Sequence, residues 1–326
     1  MANLSTIGMS GLAKLAPTPV QQYVIKNYLA NSELLNALAW TNIGLGSNLG
    51  NFIASVVVSD GSIEAVGRLI GEEYTPDNEE LRTETYQLKI LGGSILTDVE
   101  VERAFKNTMA SVATNYTQTQ IEIRLNAIEK CFAKWFITGN SSTRPKEFDG
   151  INKFLSEKAS SQVISTSIDI SALNEDKAFE ADKRINEAIA LMGHEPSFIL
   201  TSRKASGWLS TLNRYSHRGV EAIEYNDKRY SQYNGIPIVR VDDSCFAEED
   251  MQNKFPIYFI YTSTVEGVRV AYPADGSLML IQLPNFNNGT GNVTAKGTCE
   301  LMCVPIFEKY SVAKCFITDT AAASSK

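Results

Sequence analysis

The segment 198–212 constrains the fold of this chain more than any other part of the sequence. Residues 198–202 are Phe-Ile-Leu-Thr-Ser, which predicts a buried strand, and residues 203–212 predict a helix that follows at once. An irregular charged segment comes next, and residues 233–241 supply a second strand with an Asn-Gly-Ile-Pro turn at its start. The sequence therefore predicts a strand, a helix and a returning strand within one unit.

The composition indicates a globular protein without a membrane anchor. The chain has 326 residues, of which 44% are hydrophobic and 21% are charged, enough for one large core or two ordinary ones. Its apolar runs have the length of strands, and none is long enough to span a membrane. The N-terminal residues lack the basic start and apolar middle of a secretory signal, so we expect no membrane partner.

The charge pattern argues against a protein that reads nucleic acid. The formal net charge is −7, so a protein of this kind could surround nucleic acid as a container but would not recognise its sequence. A local basic group precedes the acidic segment 242–250, and its members are Arg203, Lys204, Arg214, Arg218, Lys228 and Arg229. Such opposite charges indicate either solvated faces or contacts between copies in a ring.

Residues for catalysis or metal binding are scarce. The five cysteines form no Cys-x-x-Cys pair, which favours separate thiols in a reducing cytoplasm. The two histidines are His194 and His217, so we expect neither a metal site at Cys299 and Cys303 nor a serine–histidine–acid triad. The acids at 242–250 are interpreted as surface charges, and no nucleotide-binding glycine motif is present. The sequence predicts no cofactor.

The N-terminal part predicts an arm and a long hairpin. Residues 1–16 indicate an arm without a core of its own, and residues 21–40 indicate one or two short helices. A turn is expected at 42–51. Strands are expected at 52–58, 63–70 and 85–90, the last two enclosing an acidic tip at 71–83. Such a two-stranded ribbon is marginal alone in water, so we expect it to lie on a neighbour.

Two consecutive helices are expected next. Thr97 and Asp98 predict a helix start, and Gly139 predicts the helix end. The apolar stripe shifts its phase along this length, which favours two helices that meet near Asn107 or Thr117.

The C-terminal part predicts one more helix and a series of strands. The helix places Phe179, Asp182, Ile185, Ile189 and Met192 on one face and ends at Gly193. Strands are expected at 255–262, 268–272, 277–283, 293–304 and 309–317, and the last two are expected to form a pair.

The order of these elements resembles the major capsid proteins of tailed bacteriophages, the Hong Kong 97 capsid family, over nearly the whole chain. Local motifs at 69–77, 86–91, 92–98, 136–139, 148–151 and 235–239 carry the resemblance. It implies an α+β fold made of an N-terminal arm (1–46), an extended loop (47–96), a peripheral domain with a long spine helix (97–178), an axial domain (179–292) and closing peripheral-domain strands with a tail (293–326).

The resemblance also implies a function. It implies a structural protein, not an enzyme, that self-assembles into hexamers and pentamers of an icosahedral head enclosing phage double-stranded DNA. The implied partners are other copies, a portal protein and a scaffolding protein, which is expected to be separate because no charged helical region precedes the arm. The implied location is the virion, after assembly in the host cytoplasm.

The residues expected to contact other subunits form two groups. Aromatic side chains and arginine are enriched at interfaces. The first group is expected near the centre of each ring and comprises Trp208, Arg214, Tyr215 and Arg218, and the second lies at the tip of the extended loop and comprises Tyr74, Glu79 and Glu80.

Two alternatives remain open from the sequence. An encapsulin, the shell protein of a cellular nanocompartment, shares the same fold, although its usual N-terminal helix is missing here. A soluble hydrolase using Ser202, Ser206 or Cys245 as nucleophile is the second alternative, and the scarcity of histidine argues against it.

Overall fold

A computed structural model describes most of the chain from residue 31 onwards. The described residues are 31–43, 46–48, 51–59, 68–70, 72–73, 81–108, 116–169, 174–216, 222–246, 254–273, 278–284 and 294–318. The predicted arm at 1–16, the residues Tyr74, Glu79, Glu80 and Arg218, and His217 lie outside them.

The described residues form six helices and sixteen strands. The helices are α1 (Glu33–Ala37), α2 (Val99–Thr108), α3 (Tyr116–Thr138), α4 (Ile151–Glu157), α5 (Glu175–Ala190) and α6 (Arg203–Tyr215). The strands are β1 (Ala39–Ile43), β2 (Gly46–Asn48), β3 (Asn51–Ser59), β4 (Leu81–Gln87), β5 (Lys89–Asp98), β6 (Val163–Asp169), β7 (Phe198–Ser202), β8 (Ile223–Tyr225), β9 (Lys228–Tyr230), β10 (Gln232–Tyr233), β11 (Ile236–Val241), β12 (Lys254–Ile260), β13 (Arg269–Pro273), β14 (Met279–Gln282), β15 (Thr294–Ile306) and β16 (Val312–Thr318).

These strands belong to two large sheets and two small ones. A five-stranded sheet has the order β1-β13-β15-β14, with β5 also paired to β15. A six-stranded sheet has the order β10-β11-β7-β12-β16-β6. The three-stranded β2-β3-β4 and the two-stranded β8-β9 complete the set.

The long helix α3 covers the five-stranded sheet. Leu125, Ile128, Phe132 and Phe136 recur at the spacing of one helix face and are buried in a core shared with Leu91 of β5. With 23 residues, α3 is about 35 Å long at about 1.5 Å per residue. The prediction of two helices is confirmed, since α2 ends at Thr108 and α3 begins at Tyr116.

The six-stranded sheet carries α5 and α6 on one face. The opening motif is confirmed: β7 is buried throughout, and α6 follows it directly, with the Ser202 hydroxyl capping the helix by accepting the amide of Ala205 at 3.2 Å. The returning strand β11 pairs in parallel with β7, and Asn234 and Gly235 turn the chain at its start with φ of 51° and 83°.

Near the N-terminus of the described region, two predictions need correction, although the short helix α1 does lie within the predicted range 21–40. Leu38 and Ala39 do not continue a helix, because α1 ends at Ala37 and β1 pairs in parallel with β13 instead. The segment 42–51 is not simply a turn, since β1 runs to Ile43 and β2 pairs with β3. A parallel partner more than 200 residues away leaves no local signal in the sequence.

The hairpin forms from a different first strand than predicted. Among the described residues, the partner of β4 is β3, with Ser59 opposite Leu81. Residues 68–70 are described and lie outside any strand, whereas 63–67 lie outside the described residues. The hairpin therefore joins strands that are separated by residues 60–80.

Two expectations for the C-terminal half also need correction. Phe179 is 75% exposed, because the buried stripe of α5 runs along Ala178, Ala181, Ile185 and Ala188. The last two strands do not pair with each other: β15 belongs to the five-stranded sheet and β16 to the six-stranded sheet.

Candidate assembly surfaces

The exposed face of α6 contains three of the residues predicted at a ring centre. Arg214 and Tyr215 are exposed in its last turn, and Trp208 is half-buried against the core of the six-stranded sheet. Arg203 and Lys204 are exposed in its first turn. The structure thus places these aromatic and basic side chains on one helix, while Arg218 lies outside the described residues.

A buried polar network fixes the end of α6. The hydroxyl of Ser216 donates to one carboxylate oxygen of Asp182 at 3.1 Å, and the hydroxyl of Tyr233 donates to the other. Asn213 donates to the carbonyl of Gln232 at 2.7 Å. Because Asp182 and Tyr233 are buried, these bonds hold the end of α6 against α5 and β10.

The base of the hairpin is attached to α4. Lys158 donates to both carboxylate oxygens of Glu84 at 2.8 Å, and the hydroxyl of Tyr86 donates to the same carboxylate at 2.7 Å. Burial of the Tyr86 ring, reinforced by this carboxylate, raises the pKa of its hydroxyl well above the usual value. Lys89 donates to the carbonyl of Pro145 at 2.9 Å. These polar contacts therefore attach the base of the hairpin to the residue after α4, and the start of β5 to the loop at Pro145.

An exposed sheet face lies beside this base. Leu96 stands opposite Lys296, Ile90 opposite Met302, and Leu280 opposite Glu300. Directly opposed residues share a face, so the exposed side chains of Ile90, Leu96 and Leu280 lie on one side of β5, β15 and β14. The opposite side is buried under α3. The sequence missed this surface because the pairing of β5 with β15 joins residues about 200 positions apart.

The start of the described chain is tied to the β8-β9 hairpin. The side-chain amides of Asn36 and Asn226 each donate to the other's backbone carbonyl at 2.8 Å. Arg240 forms a two-point contact with Glu33, with a shortest distance of 2.7 Å. These contacts fix α1 against the β8-β9 hairpin and β11.

The residues of the hydrolase alternative do not come together. The hydroxyl of Ser202 accepts the amide of Ala205, Ser206 is buried within α6, and burial raises the pKa of the Cys245 thiol to about 11. His194 stacks on Tyr261 before the first residue of β7, whereas Ser202 ends that strand. A five-residue strand spans about 16 Å, too far for a nucleophile and its base.

Within the described ranges, no group of three histidine, cysteine or acidic residues is placed to hold a metal ion. Among the helices that the structure describes, none is both long and apolar enough to cross a bilayer.

Comparison with known proteins gives a match in fold and none in sequence. No protein-family model and no curated protein matches the chain. The holo-SrpI encapsulin complex from Synechococcus elongatus PCC 7942 is 13% identical, covers 89% of this chain and 88% of its own, and has a TM-score of 0.60. The structure from Mycobacterium phage Adephagia is 12% identical and covers 97% and 98%, with a TM-score of 0.54; that from Mycobacterium phage Bobi is 13% identical and covers 96% and 98%, with a TM-score of 0.53. These neighbours are capsid and encapsulin shell proteins. This chain has the Hong Kong 97 fold.

The Hong Kong 97 fold confirms the α+β prediction and the long helix at its centre. Within this fold, sequence reasoning placed Trp208 correctly on a helix but ended that helix at Leu212, whereas α6 extends to Tyr215 and includes Arg214. It also gave Phe179 to the core. A signal for Phe179 was present, since small alanines at 178, 181 and 188 define a closer-packed stripe one position away. The tip residues Tyr74, Glu79 and Glu80 lie outside the described part of the chain.

Proposed function

We propose that this protein is the structural major capsid protein of a tailed bacteriophage, which self-assembles into hexamers and pentamers of an icosahedral head. The observation that carries the proposal is the Hong Kong 97 fold over nearly the whole chain. The β3–β4 hairpin and the exposed apolar face of β5, β15 and β14 add to it, because a single subunit leaves them uncovered. Capsid proteins of phages with this fold cover 96–97% of the chain at TM-scores above 0.5.

The hairpin and the exposed sheet face support assembly. A β-hairpin that projects from a domain leaves unpaired backbone edges, which natural proteins cover or pair. The exposed Ile90, Leu96 and Leu280 offer an apolar surface on a neighbouring copy for it to cover. Contacts of this kind repeat by rotation and so link subunits into closed rings.

The face of α6 supports a second contact, near the ring centre. Trp208, Arg214, Tyr215 and Arg218 contribute to it in this proposal, and Tyr74, Glu79 and Glu80 contribute at the tip of the loop. Arginine and aromatic residues dominate the binding energy of many interfaces, and the network around Asp182 holds the helix that carries them.

The proposed domain division follows the predicted ranges. In it, residues 1–46 form the arm, 47–96 the extended loop, 97–178 the peripheral domain and 179–292 the axial domain, with closing strands and tail at 293–326. Strands from outside 179–292 contribute to the six-stranded sheet at its β16 and β6 side, so the proposed domains exchange strands at their boundary.

The proposed partners follow from the role. Besides its own copies, the protein meets a scaffolding protein and a portal protein during assembly in the host cytoplasm, and as part of the virion it encloses double-stranded DNA. A net charge of −7 supports enclosure without sequence-specific binding. Among the described residues, Ser202, Ser206 and Cys245 are not brought to a histidine base, and we propose a role without enzyme activity.

An encapsulin-type shell is the second candidate. It is favoured by the SrpI encapsulin match, whose TM-score of 0.60 exceeds the 0.53 and 0.54 of the two phage structures. The contents of particles from the native source separate the two: a phage head contains genomic double-stranded DNA, and an encapsulin contains a cargo protein.

The test of the shell role is the size of the purified protein. We expect sedimentation velocity to show species of many copies, and negative-stain electron microscopy to show closed particles, with co-expressed scaffolding protein if needed. A single-copy species under every condition, including with scaffolding protein, contradicts the proposal.

A further inference from the structure

The solvent face of α5 contains a large apolar side chain among acids. Phe179 is 75% exposed, and Glu175, Asp176 and Glu180 are exposed around it. The cations nearest to them along the helix are Lys177, which is half-buried and pairs with Asp169, and Lys183, which is exposed. The face is therefore acidic overall, with an aromatic ring that the subunit itself does not bury.

The solvent face of α6 has the opposite charge. Residues 203–215 contain no acid, while Arg203, Lys204 and Arg214 are exposed. Trp208 and Tyr215 lie on the same helix, half-buried and exposed respectively. This face combines positive charge with the aromatic residues that interfaces favour.

Both helices lie on one face of the six-stranded sheet. α5 packs on β6 and β16, and α6 packs on β7, β10, β11 and β12. α5 follows β6 and α6 follows β7, and these two strands run in the same direction. The acidic first turn of α5 and the basic first turn of α6 therefore both lie at the end of the sheet where β6 and β7 finish.

Among the described residues, Arg203 lies near Asp242 and helps to lower the pKa of its carboxyl, and Lys204 lies over the ring of Phe255 at 6.0 Å. Arg214 and the acids beside Phe179 take part in no ion pair of the described region. The ion pairs of α5 in the described region are Arg184 with Glu187 and Lys177 with Asp169, and neither includes Glu175, Asp176 or Glu180. The exposed acids of α5 and bases of α6 form no salt bridge with each other among the described residues. The surface thus offers both members of a complementary pair to another molecule.

We infer that the acidic face of α5, centred on Phe179, contacts the basic aromatic face of α6 in another copy of this chain. The inference rests on the proposed shell function and names the partner surface for Trp208, Arg214 and Tyr215. It assigns the acidic partner of the basic cluster to α5, whereas the sequence pointed to 242–250. Phe179 supplies the apolar contact, and the charges select the register of the two helices.

Charge reversal tests the pairing directly. The first variant carries Asp176→Lys and Glu180→Lys, the second carries Lys204→Glu and Arg214→Glu, and the third combines all four changes. We expect the first two variants to raise the protein concentration at half assembly at least about tenfold. We expect the third to bring this concentration most of the way back to the wild-type value. Glu195→Lys, an exposed acid beyond the other end of α5, serves as the control and is expected to assemble normally.

Removal of the aromatic ring gives an independent test. Phe179→Ser is expected to raise the concentration at half assembly by about tenfold, since the ring no longer leaves water on contact. The control is Val265→Ser, which removes another exposed apolar side chain, at the opposite end of the strands of this sheet. It is expected to leave the concentration at half assembly unchanged. Because both side chains are exposed, circular dichroism and the thermal midpoint of unassembled subunits are expected to match the wild type.

The outcomes separate this inference from the shell function. If the wild type forms shells and Phe179→Ser and both double reversals assemble equally well, the α5–α6 contact is wrong and the shell function stands. If the double reversals fail and the fourfold variant does not recover, the two faces do not meet each other. If the wild type never forms shells, both the inference and the shell function are overturned.

Discussion

The turn that ends α3 gives a prediction with a calculable cost. Gly139 and Gly150 approach each other there: the amide of Gly139 donates to the carbonyl of Trp135 at 2.8 Å, and the amide of Gly150 donates to the carbonyl of Gly139 at 2.9 Å. A Cβ atom added at Gly139 would overlap the carbonyl oxygens of Phe148 and Trp135. These are backbone atoms, which cannot swing aside as the end of a long side chain can.

The magnitude for Gly139→Ala follows from these contacts. Overpacking against backbone costs about 1–3 kcal/mol, and weakening the two hydrogen bonds costs about 1 kcal/mol each. Alanine also lowers the conformational entropy of the unfolded chain, which offsets this loss of stability by about 0.5–1 kcal/mol. We expect the free energy of unfolding to fall by about 2–4 kcal/mol.

The matched control is Gly207→Ala. Gly207 is exposed within α6, and an added Cβ there meets nothing within 4 Å. Since alanine is the better helix former, we expect a gain of about 0.5–1 kcal/mol. The substitution of glycine by alanine is thus expected to lower the free energy of unfolding at position 139 and to raise it at position 207.

Urea unfolding of unassembled subunits measures both variants. Tryptophan fluorescence is a suitable probe, because Trp135 lies at the turn itself and packs edge-on against Phe148 at 5.5 Å between ring centres. The reasoning is refuted if Gly139→Ala unfolds at the wild-type midpoint, or if both alanine variants shift in the same direction.

Three further predictions test other parts of the structure. Lys158→Ala removes the contact to Glu84 and is expected to speed amide exchange in β4 about threefold, with Glu157→Ala as control; unchanged exchange in β4 contradicts the described hairpin base. Arg269→Ala breaks the 2.7 Å pair between the buried Arg269 and the partly exposed Glu308, and we expect it to lower the free energy of unfolding, measured by thermal unfolding, by about 2 kcal/mol. Arg103→Ala, in a solvent-exposed pair, is expected to have no measurable effect. Equal effects of the two substitutions would be incompatible with the burial described. Burial raises the pKa of the Cys245 and Cys299 thiols to about 11, so at pH 8 we expect alkylation followed by mass spectrometry to label Cys131 first, and fast labelling of Cys245 or Cys299 would be evidence against this core.

The sequence predicted local features well where one short segment determines the structure. The step from β7 to α6 depends on an apolar run and a serine cap, and the end of α3 depends on Gly139. The break between α2 and α3 followed from a shift in the apolar stripe. Each of these signals lies within about ten residues of the feature it determines.

Features that depend on distant pairing were not predictable in the same way. The parallel pairing of β1 with β13 and the antiparallel pairing of β5 with β15 join residues about 200 positions apart. The pairing of β3 with β4 was also missed, because the segment 63–70, which is closer to β4 in sequence, has an apolar pattern that also suits a strand.

The candidate surfaces show the same limit. Composition pointed to Trp208, Arg214 and Tyr215, because arginine and aromatic residues are typical of interfaces. Phe179 and the exposed face of β5, β15 and β14 required knowledge of which side of each element is buried. Apolar periodicity alone assigned Phe179 to the core, since a phenylalanine in an amphipathic helix usually lies there.

A cryo-electron microscopy reconstruction of the purified particle tests the central claim most directly. The account predicts a closed shell in which each subunit, folded as described, lies in rings of five or six and lays its β3–β4 hairpin on a neighbour. A compact lone subunit whose hairpin folds back on its own body would contradict it.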